Sequence, residues 1–154
     1  MPPANHTILL VEDNEDDVFL MERALKSAGI LNPVFVIEDG QRAIDYLAGA
    51  GEFGDRSRFP YPQVVFLDLK LPRKSGFDVL GWLRGRIDVP QPLVVVLSSS
   101  NSPQDIERVT ALGAARYAVK PPTVDLFRQL TEAFQIEWRF TAGISNPAPA
   151  ALEK

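Results

Sequence analysis

The sequence predicts an α/β protein with a five-stranded parallel sheet, doubly wound, with helices on both faces. Short apolar runs alternate with segments of helical period along the chain, which is the pattern of parallel strands joined by crossover helices. Clear apolar runs cover residues 8–11, 64–67 and 93–97. The order βαβαβαβαβα, with one short helix after each strand, indicates a single sheet of this kind.

The first strand is predicted at residues 7–12 and the first helix at about 15–28. Asn14 is suited to the N-cap of this helix, and Gly29 to its end. We interpret Glu15, Asp16 and Asp17 as acids placed at the positive end of the helix dipole rather than as metal ligands. The buried stripe of the helix is predicted from its spacing to contain Val18, Met21, Leu25 and Ala28.

The second strand is predicted at about 34–38, after which Asp39-Gly40 turns the chain into the second helix. That helix has Ala43, Ile44 and Leu47 as its apolar face. Residues 49–62 hold three Gly and two Pro without a sustained period, and therefore read as a loop. The third strand is predicted at 63–68, followed by a tight loop at 70–76 and a third helix ending near residue 86.

The fourth strand is predicted at 93–98 and the fifth at 115–119. Ser102 followed by Pro103 is a strong start signal for the fourth helix, which Gly113 ends. The fifth helix is predicted over about 123–140. Its spacing predicts that Phe127, Leu130, Phe134 and Trp138 dock on the sheet, with Ile136 and Phe140 pointing roughly the opposite way if the helix persists. The alternative is that the helix ends early and these residues fold back onto the domain. The natural candidate for the whole sheet is the flavodoxin-like strand order 2-1-3-4-5.

Composition favours one globular domain in a chain of 154 residues, of which 45% are hydrophobic and 23% charged. We predict a flexible segment at 1–6, a folded domain at 7–141 and a disordered, Ala- and Pro-rich tail at 142–154. The net charge of −4 argues against non-specific nucleic-acid binding. We expect a cytoplasmic protein without a membrane segment, because the sequence lacks cysteine, a signal peptide and a long apolar run.

Five functional side chains follow or end predicted strands: Glu12, Asp13, Asp68, Ser98 and Lys120. Ligands of open α/β sheets bind beyond the carboxyl ends of the strands, so we expect these groups to converge at one sheet edge. Three carboxylates there repel one another unless a cation neutralises them, and hard oxygen ligands favour Mg²⁺. The competing structural interpretation is that strand-end acids cap the following helices and that the lysine is simply solvated.

The same strand ends carry a resemblance to response-regulator receiver domains of two-component signalling, the CheY-like family. The matching segments are LLVED at 9–13, FLDLKLP at 66–72, VLS at 96–98 and YAVKP at 117–121. The nucleophile, hydroxyl and lysine positions follow one another at intervals of 30 and 22 residues, as in the family. The resemblance covers roughly residues 7–135.

The resemblance implies a role for each site residue. Asp68 would accept a phosphoryl group from a kinase phosphohistidine, and Ser98 and Lys120 would bind the oxygens of the resulting acyl phosphate. Glu12 and Asp13 would hold Mg²⁺ together with Asp68 and the backbone carbonyl of Lys70.

A switch is also implied by the resemblance. The hydroxyl of Ser98 would move toward the phosphate, and Tyr117 would swing into the space behind it. This movement would alter the surface formed by the fourth helix, fifth strand and fifth helix. The Lys120–Pro121 peptide bond is expected to be cis, as in the family.

The partner implied by the resemblance is a sensor histidine kinase. The long loop at 51–60, the segment at 71–76 and the aromatic end of the fifth helix resemble the stand-alone regulators of bacterial and cyanobacterial phytochromes. We also predict a homodimer involving the fifth helix and its C-terminal end, because apolar residues grouped on an exposed face often mark an interface. The downstream target is not predictable from the sequence.

Two other functions remain open at this stage. A Mg²⁺-dependent phosphohydrolase of the haloacid dehalogenase type also uses an aspartate nucleophile and a lysine, but it carries an acid two residues after the nucleophile, where this chain has Lys70. A phosphorylation-independent interaction module would leave the five site residues without a use. We therefore expect a phosphoacceptor protein with slow autodephosphorylation, not a turnover enzyme.

Overall fold

The computed structural model of the protein describes residues 6–134, 136 and 138–140. The strands of this part of the chain are β1 (Thr7–Val11), β2 (Val34–Ile37), β3 (Pro62–Asp68), β4 (Leu93–Ser98) and β5 (Arg116–Val119). Its α-helices are α1 (Glu15–Ser27), α2 (Gly40–Ala48), α3 (Gly76–Arg84), α4 (Pro103–Ala111) and α5 (Val124–Phe134), with a short 3-10 helix at Gly51–Gly54.

The strands form one parallel sheet in the order β2-β1-β3-β4-β5, which confirms the predicted fold. β1 and β3 lie side by side at the centre, with Val11 opposite Leu67. On the other side of β3, Asp68 lies opposite Leu97. The carboxyl ends of β1, β3 and β4 therefore meet at one edge of the sheet, where the order of the strands reverses.

The core has two parts, one on each face of the sheet. One face packs Leu9, Val11, Val65 and Leu67 against α2, α3 and α4, and the other packs Ile8, Leu10, Val64 and Phe66 against α1 and α5. Because helices cover both faces, the central strands are apolar throughout rather than alternating, and all five residues of β1 are buried.

The first three predicted helix positions are confirmed to within a few residues, and the capping residues explain where the helices begin. Asn14 caps α1 by accepting from the Asp17 N–H at 3.0 Å, and Ser102 caps α4 with Pro103 at the first helical position, both as predicted. Asp39 caps α2, and Ser75 and Asp78 form a reciprocal capping box at the start of α3.

The predicted loop at 49–62 is more ordered than its composition indicates. Phe53 and Phe59 stack edge-on at 5.0 Å, and both contact Tyr46 of α2. The Arg56 guanidinium donates to the Tyr46 and Leu47 carbonyls at 2.8 and 3.1 Å, which satisfies carbonyls at the end of α2. The segment therefore adds Phe53 and Phe59 to the core beside Tyr46 of α2.

The prediction of a fifth helix reaching residue 140 is wrong. α5 ends at Phe134, which is 37% exposed rather than docked on the sheet. Ile136, predicted to face away from the domain, is only 3% exposed. The chain folds back after α5, and Ile136 and Trp138 both enter the core between α1 and α5.

Polar contacts fix this fold-back. The Trp138 indole N–H donates to the Thr131 hydroxyl, and the ring lies edge-on to Phe127 at 6.1 Å. A straight helix would leave Ile136 and Phe140 in water, whereas the reversal buries Ile136 completely and Phe140 in part. The spacing of apolar residues along the sequence cannot predict this burial, because it depends on packing against α1.

The fold-back ends beside the amino-terminal end of β2. Phe140 pairs with Ile30 in an antiparallel bridge. The Asn32 side chain donates to the His6 carbonyl at 2.7 Å and accepts from the Arg139 N–H at 2.6 Å. Asn32 thus ties residues from the two ends of the described chain to the sheet edge opposite the carboxyl ends.

Two further expectations bear on the termini and the membrane. The flexible segment, apart from His6, and the tail at 142–154 lie outside the described residues. In the part of the chain that is described, none of the helices has the length and apolar character needed to cross a membrane.

Replacing Trp138 with Ala tests the fold-back. We expect Trp138→Ala to lower the free energy of unfolding by about 3 kcal/mol, because the indole fills the core between α1 and α5. Phe134→Ala is the matched control and is expected to cost below about 1 kcal/mol, since half-exposed apolar side chains contribute less. Urea unfolding followed by circular dichroism measures both. Equal losses in the two variants would support the continuous helix instead.

Candidate functional site

Three carboxylates meet at the carboxyl ends of β1 and β3. Oxygens of Glu12, Asp13 and Asp68 all lie within 4.8 Å of one another. Glu12 and Asp68 are buried, whereas Asp13 is exposed. The structure therefore brings together the three acids that the sequence predicted to converge, with one of them open to solvent.

Lys120 contacts two acids of this cluster, Glu12 and Asp68. It follows β5, and its backbone N–H donates to the Ser98 carbonyl at 2.8 Å. Its ammonium nitrogen lies 2.7 Å from Glu12 Oε1 and 3.5 Å from Asp68 Oδ2. The Lys120–Pro121 peptide bond is cis, as predicted. The lysine is thus an internal counterion of the carboxylates, which excludes the interpretation that it is simply solvated.

The environment of the cluster shifts two pKa values. Burial raises the pKa of the Glu12 carboxyl, the hydrogen bond from Lys120 opposes the rise, and the charge of Asp68 adds to it. Burial disfavours the Lys120 ammonium, but its hydrogen bonds to Asp17 and Glu12 and the charge of Asp68 outweigh burial and raise the pKa of Lys120. The lysine is therefore a fixed positive charge at neutral pH.

Asp17 is a site residue that the sequence analysis missed. We assigned it to the helix dipole of α1, yet its carboxylate oxygen lies 2.8 Å from the Lys120 ammonium. One clue was available in the sequence. Asp17 is the third residue of a helix that begins just after the acids Glu12 and Asp13, and this places it near the site. Local spacing alone cannot reveal a partner 103 residues away.

Ser98 and Tyr117 are connected through the β4–α4 loop. Ser98 is buried at the end of β4, and its hydroxyl oxygen accepts from the Ser100 N–H at 3.1 Å. The Tyr117 hydroxyl donates to the Ser100 carbonyl at 2.6 Å. Ser100 also accepts, through its own hydroxyl, from the N–H of the α4 cap residue Ser102 at 3.2 Å. One loop residue thus contacts both residues of the predicted switch.

The loop after Asp68 is held in place by the start of α2. Arg73, which has a left-handed backbone with φ of 65°, places its guanidinium 3.1 Å from both oxygens of Asp39. The Gly40 N–H donates to the Pro72 carbonyl at 3.2 Å. Lys70, whose carbonyl is the remaining predicted metal ligand, is exposed in this loop two residues beyond Asp68.

Two glycines permit the close approach of this loop. A Cβ on Gly40 would lie 1.8 Å from the Lys74 carbonyl oxygen, and a Cβ on Gly76 would lie 2.4 Å from the Asp68 carbonyl oxygen. The second contact would displace the backbone of the predicted phosphoacceptor itself. Both positions are therefore closed to any side chain without movement of the loop.

The donor set fits a hard divalent cation. Three carboxylates supply oxygen ligands within one small space, and the exposed Asp13 leaves a side open for entry. Lys120 already neutralises part of the negative charge from the inner side. The residues present therefore match the chemistry of a divalent metal site rather than that of a softer metal bound by thiolate or imidazole.

The fold and this edge of the sheet define the class of the protein. The chain matches the response regulator receiver domain over residues 8–132 and belongs to that family. It is therefore a receiver domain of two-component signalling.

Two similar proteins match this chain over most of the length of both chains. The response regulator Rcp1 of Synechocystis sp. is 33% identical over 133 residues, which cover 84% of this chain and 88% of Rcp1. FilR2 of Methanothrix harundinacea, named as a methanogenesis regulatory protein, is 34% identical over 131 residues, covering 85% of this chain and 82% of FilR2.

The similar solved structures are also response regulators. The bacteriophytochrome response regulator AtBRR is 36% identical, with a TM-score of 0.77 and coverage of 89% of this chain and 97% of AtBRR. The Mn²⁺-bound form of Rcp1 is 32% identical, with a TM-score of 0.70 and coverage of 89% of this chain and 99% of Rcp1. One of these two similar structures is thus a bacteriophytochrome response regulator, and the other is a response regulator with Mn²⁺ bound.

Replacing Gly40 with Ala tests the packing of the loop after Asp68. The added methyl group would collide with the Lys74 carbonyl, and we expect a loss of about 1–3 kcal/mol in the free energy of unfolding. Gly81→Ala in α3 is the control, because nothing lies within 4 Å of its added Cβ. That variant is expected to gain roughly 0.5–1 kcal/mol from helix propensity. Urea denaturation measures both, and a neutral Gly40→Ala would contradict the described loop.

Proposed function

We propose that this protein accepts a phosphoryl group on Asp68 from the phosphohistidine of a sensor histidine kinase, with Mg²⁺ as the metal. The observation that carries this proposal is the convergence of three carboxylates and one lysine at a single sheet edge. Family membership supports it, since receiver domains are the signalling partners of such kinases. The relative Rcp1 has been solved with Mn²⁺, which supports the binding of a divalent ion by this chain.

The geometry supports an in-line displacement at phosphorus. An Asp68 carboxylate oxygen forms the new P–O bond while the P–N bond to the kinase histidine breaks, and the imidazole leaves. Mg²⁺, held by Glu12, Asp13, Asp68 and the Lys70 carbonyl, would neutralise charge on the phosphoryl oxygens. Lys120 would add a second positive charge, because its ammonium nitrogen lies 3.5 Å from Asp68 Oδ2 before transfer.

The bond network of the β4–α4 loop supports a switch by Ser98 and Tyr117. When the Ser98 hydroxyl turns to a phosphoryl oxygen, it gives up its bond from the Ser100 N–H. The Tyr117 hydroxyl is bonded to the Ser100 carbonyl, so a shift of Ser100 frees the ring to move. The start of α4 would follow, because Ser102 is bonded to the Ser100 hydroxyl.

The kinase partner we propose is a phytochrome. Three of the similar solved proteins are phytochrome response regulators by name. They are 31–36% identical to this chain over most of both chains. The exposed face of α1 beside the site supplies a docking surface, with Phe19 at 60% exposure and Leu20 next to it. A large exposed aromatic ring next to the reaction site is typical of an interface anchor.

Other parts of the proposal concern assembly and turnover. The protein would act as a phosphoacceptor that dephosphorylates slowly rather than as a turnover enzyme, and would work in the cytoplasm. The homodimer through α5 also remains a proposal, on a smaller apolar surface than predicted. Ile136 is buried, and the exposed apolar side chains near this face are Val119, Val124 and Phe134.

Phosphorylation by a small donor tests the central proposal. With Mg²⁺ and acetyl phosphate, we expect intact-mass measurement to show a labile gain of one phosphoryl group on the wild type. Asp68→Asn removes the nucleophile and should abolish the gain, as should removal of Mg²⁺. The partly buried Asp105→Asn, in α4 and outside the carboxylate cluster, is the control and should be phosphorylated normally. A phosphorylated Asp68→Asn would identify a different acceptor, and an inert wild type would favour the interaction module.

Transfer from a kinase tests the proposed partner. We expect a bacteriophytochrome histidine kinase carrying labelled phosphate to transfer it to the wild type. Loss of an aromatic anchor should make Phe19→Ala roughly tenfold slower in this transfer while leaving its reaction with acetyl phosphate unchanged. Ile87→Ala, fully exposed in the α3–β4 loop, is the control and should match the wild type. Equal transfer to Phe19→Ala would remove α1 from the interface.

A further inference from the structure

The Lys120 ammonium is shared unequally among three acids. It lies 2.7 Å from Glu12 and 2.8 Å from Asp17, but 3.5 Å from Asp68. The first two distances are those of charge-assisted hydrogen bonds, and the third is longer than a hydrogen bond. An ammonium has three N–H donors, and two of them are therefore engaged away from the predicted phosphoacceptor.

The side chain of Asp17 is available for this contact because its ordinary local partner is taken. An acid at the third helical position commonly reaches back to the N-cap backbone N–H, as Asp78 does toward Ser75 in α3 at 2.9 Å. In α1 the corresponding Asn14 N–H donates instead to Glu12 at 3.2 Å. Asp17 keeps only its backbone bond to Asn14, and its carboxylate turns to Lys120.

A phosphoryl group on Asp68 would compete for the same ammonium. It adds negative oxygens to the Asp68 carboxylate, whose Oδ2 lies 3.5 Å from the Lys120 ammonium nitrogen. Glu12 lies among the predicted metal ligands and belongs to the site in both states. Asp17 does not belong to that group of three acids, so its bond to Lys120 is the one that phosphorylation would have to weaken.

We propose that Asp17 is a positioning residue that holds the Lys120 ammonium on the α1 side of the site and competes for it with a phosphoryl group on Asp68. The inference rests on the proposed function of Asp68. Attachment of the phosphoryl group then moves the lysine and releases Asp17. The first turn of α1 thereby responds to phosphorylation independently of Ser98 and Tyr117.

The direction of the effect follows from the competition. Removing the charge of Asp17 weakens its bond to Lys120, so the lysine reaches the phosphoryl group without giving up a charged partner. The Asp17→Asn variant should therefore bind a phosphoryl analogue more tightly than the wild type. A purely structural role would give the opposite sign, since damage to the site weakens binding. The cap of α1 survives in this variant, because the bond to Asn14 uses the Asp17 backbone N–H.

The test is titration with beryllofluoride, which mimics a phosphoryl group on a carboxylate, at saturating Mg²⁺ with the bound fluorine signal measured by NMR. We expect Asp17→Asn to bind beryllofluoride about fivefold more tightly than the wild type. This factor corresponds to the loss of one partly exposed ion pair, since the Asp17 side chain is 30% exposed. Asp16→Asn removes the same charge from an exposed position in the same turn and should be unchanged. Asp17→Glu retains the charge and should return the affinity toward the wild-type value.

The outcomes separate this inference from the proposed function. If the wild type binds beryllofluoride and Asp17→Asn binds equally or more weakly, the inference is overturned and the proposed function stands. If the wild type neither binds beryllofluoride nor takes phosphate from acetyl phosphate, both are overturned. A second readout needs no variant: the carboxylate carbon signal of Asp17 should shift when beryllofluoride binds the wild type, and an unchanged signal contradicts the release of Asp17.

Discussion

Repulsion among like charges is the constraint around which this edge of the sheet is arranged. Three carboxylates within 4.8 Å of one another, two of them buried, are unfavourable without a positive partner. Lys120 supplies that partner. It follows the edge strand β5, and its side chain reaches past the end of β4 to the acids at the ends of β1 and β3. The order of the strands and the backbone bond from Lys120 to Ser98 place these charges together.

The same charges connect the site to two separate parts of the surface. On one side, hydrogen bonds through Ser100 connect Ser98 to Tyr117 and to the beginning of α4. On the other, Lys120 leads to Asp17 and the beginning of α1. In the proposed mechanism, a phosphoryl group on Asp68 would therefore alter hydrogen bonds on both faces of the sheet. The two responses would use different atoms, so a substitution could affect one without the other.

The sequence was sufficient for the sheet and for most of the site because each of these features is set locally. Asp68 and Ser98 end apolar strands, and the parallel order then places the strand ends together. The partner of Asp17 was missed because it depends on a contact with a residue far along the chain. The end of α5 was wrong for a similar reason: the helical spacing continues past Phe134, but Trp138 gains more by packing beside Phe127 and bonding to Thr131.

The contacts of Asn32 place His6 and Arg139 together at the sheet edge farthest from Asp68. A label attached at His6 or Arg139 would therefore lie at the amino-terminal edge of the sheet, away from the carboxylate cluster. The phosphorylation proposed at Asp68 could then be read at one edge of the sheet while the protein is held by the opposite edge.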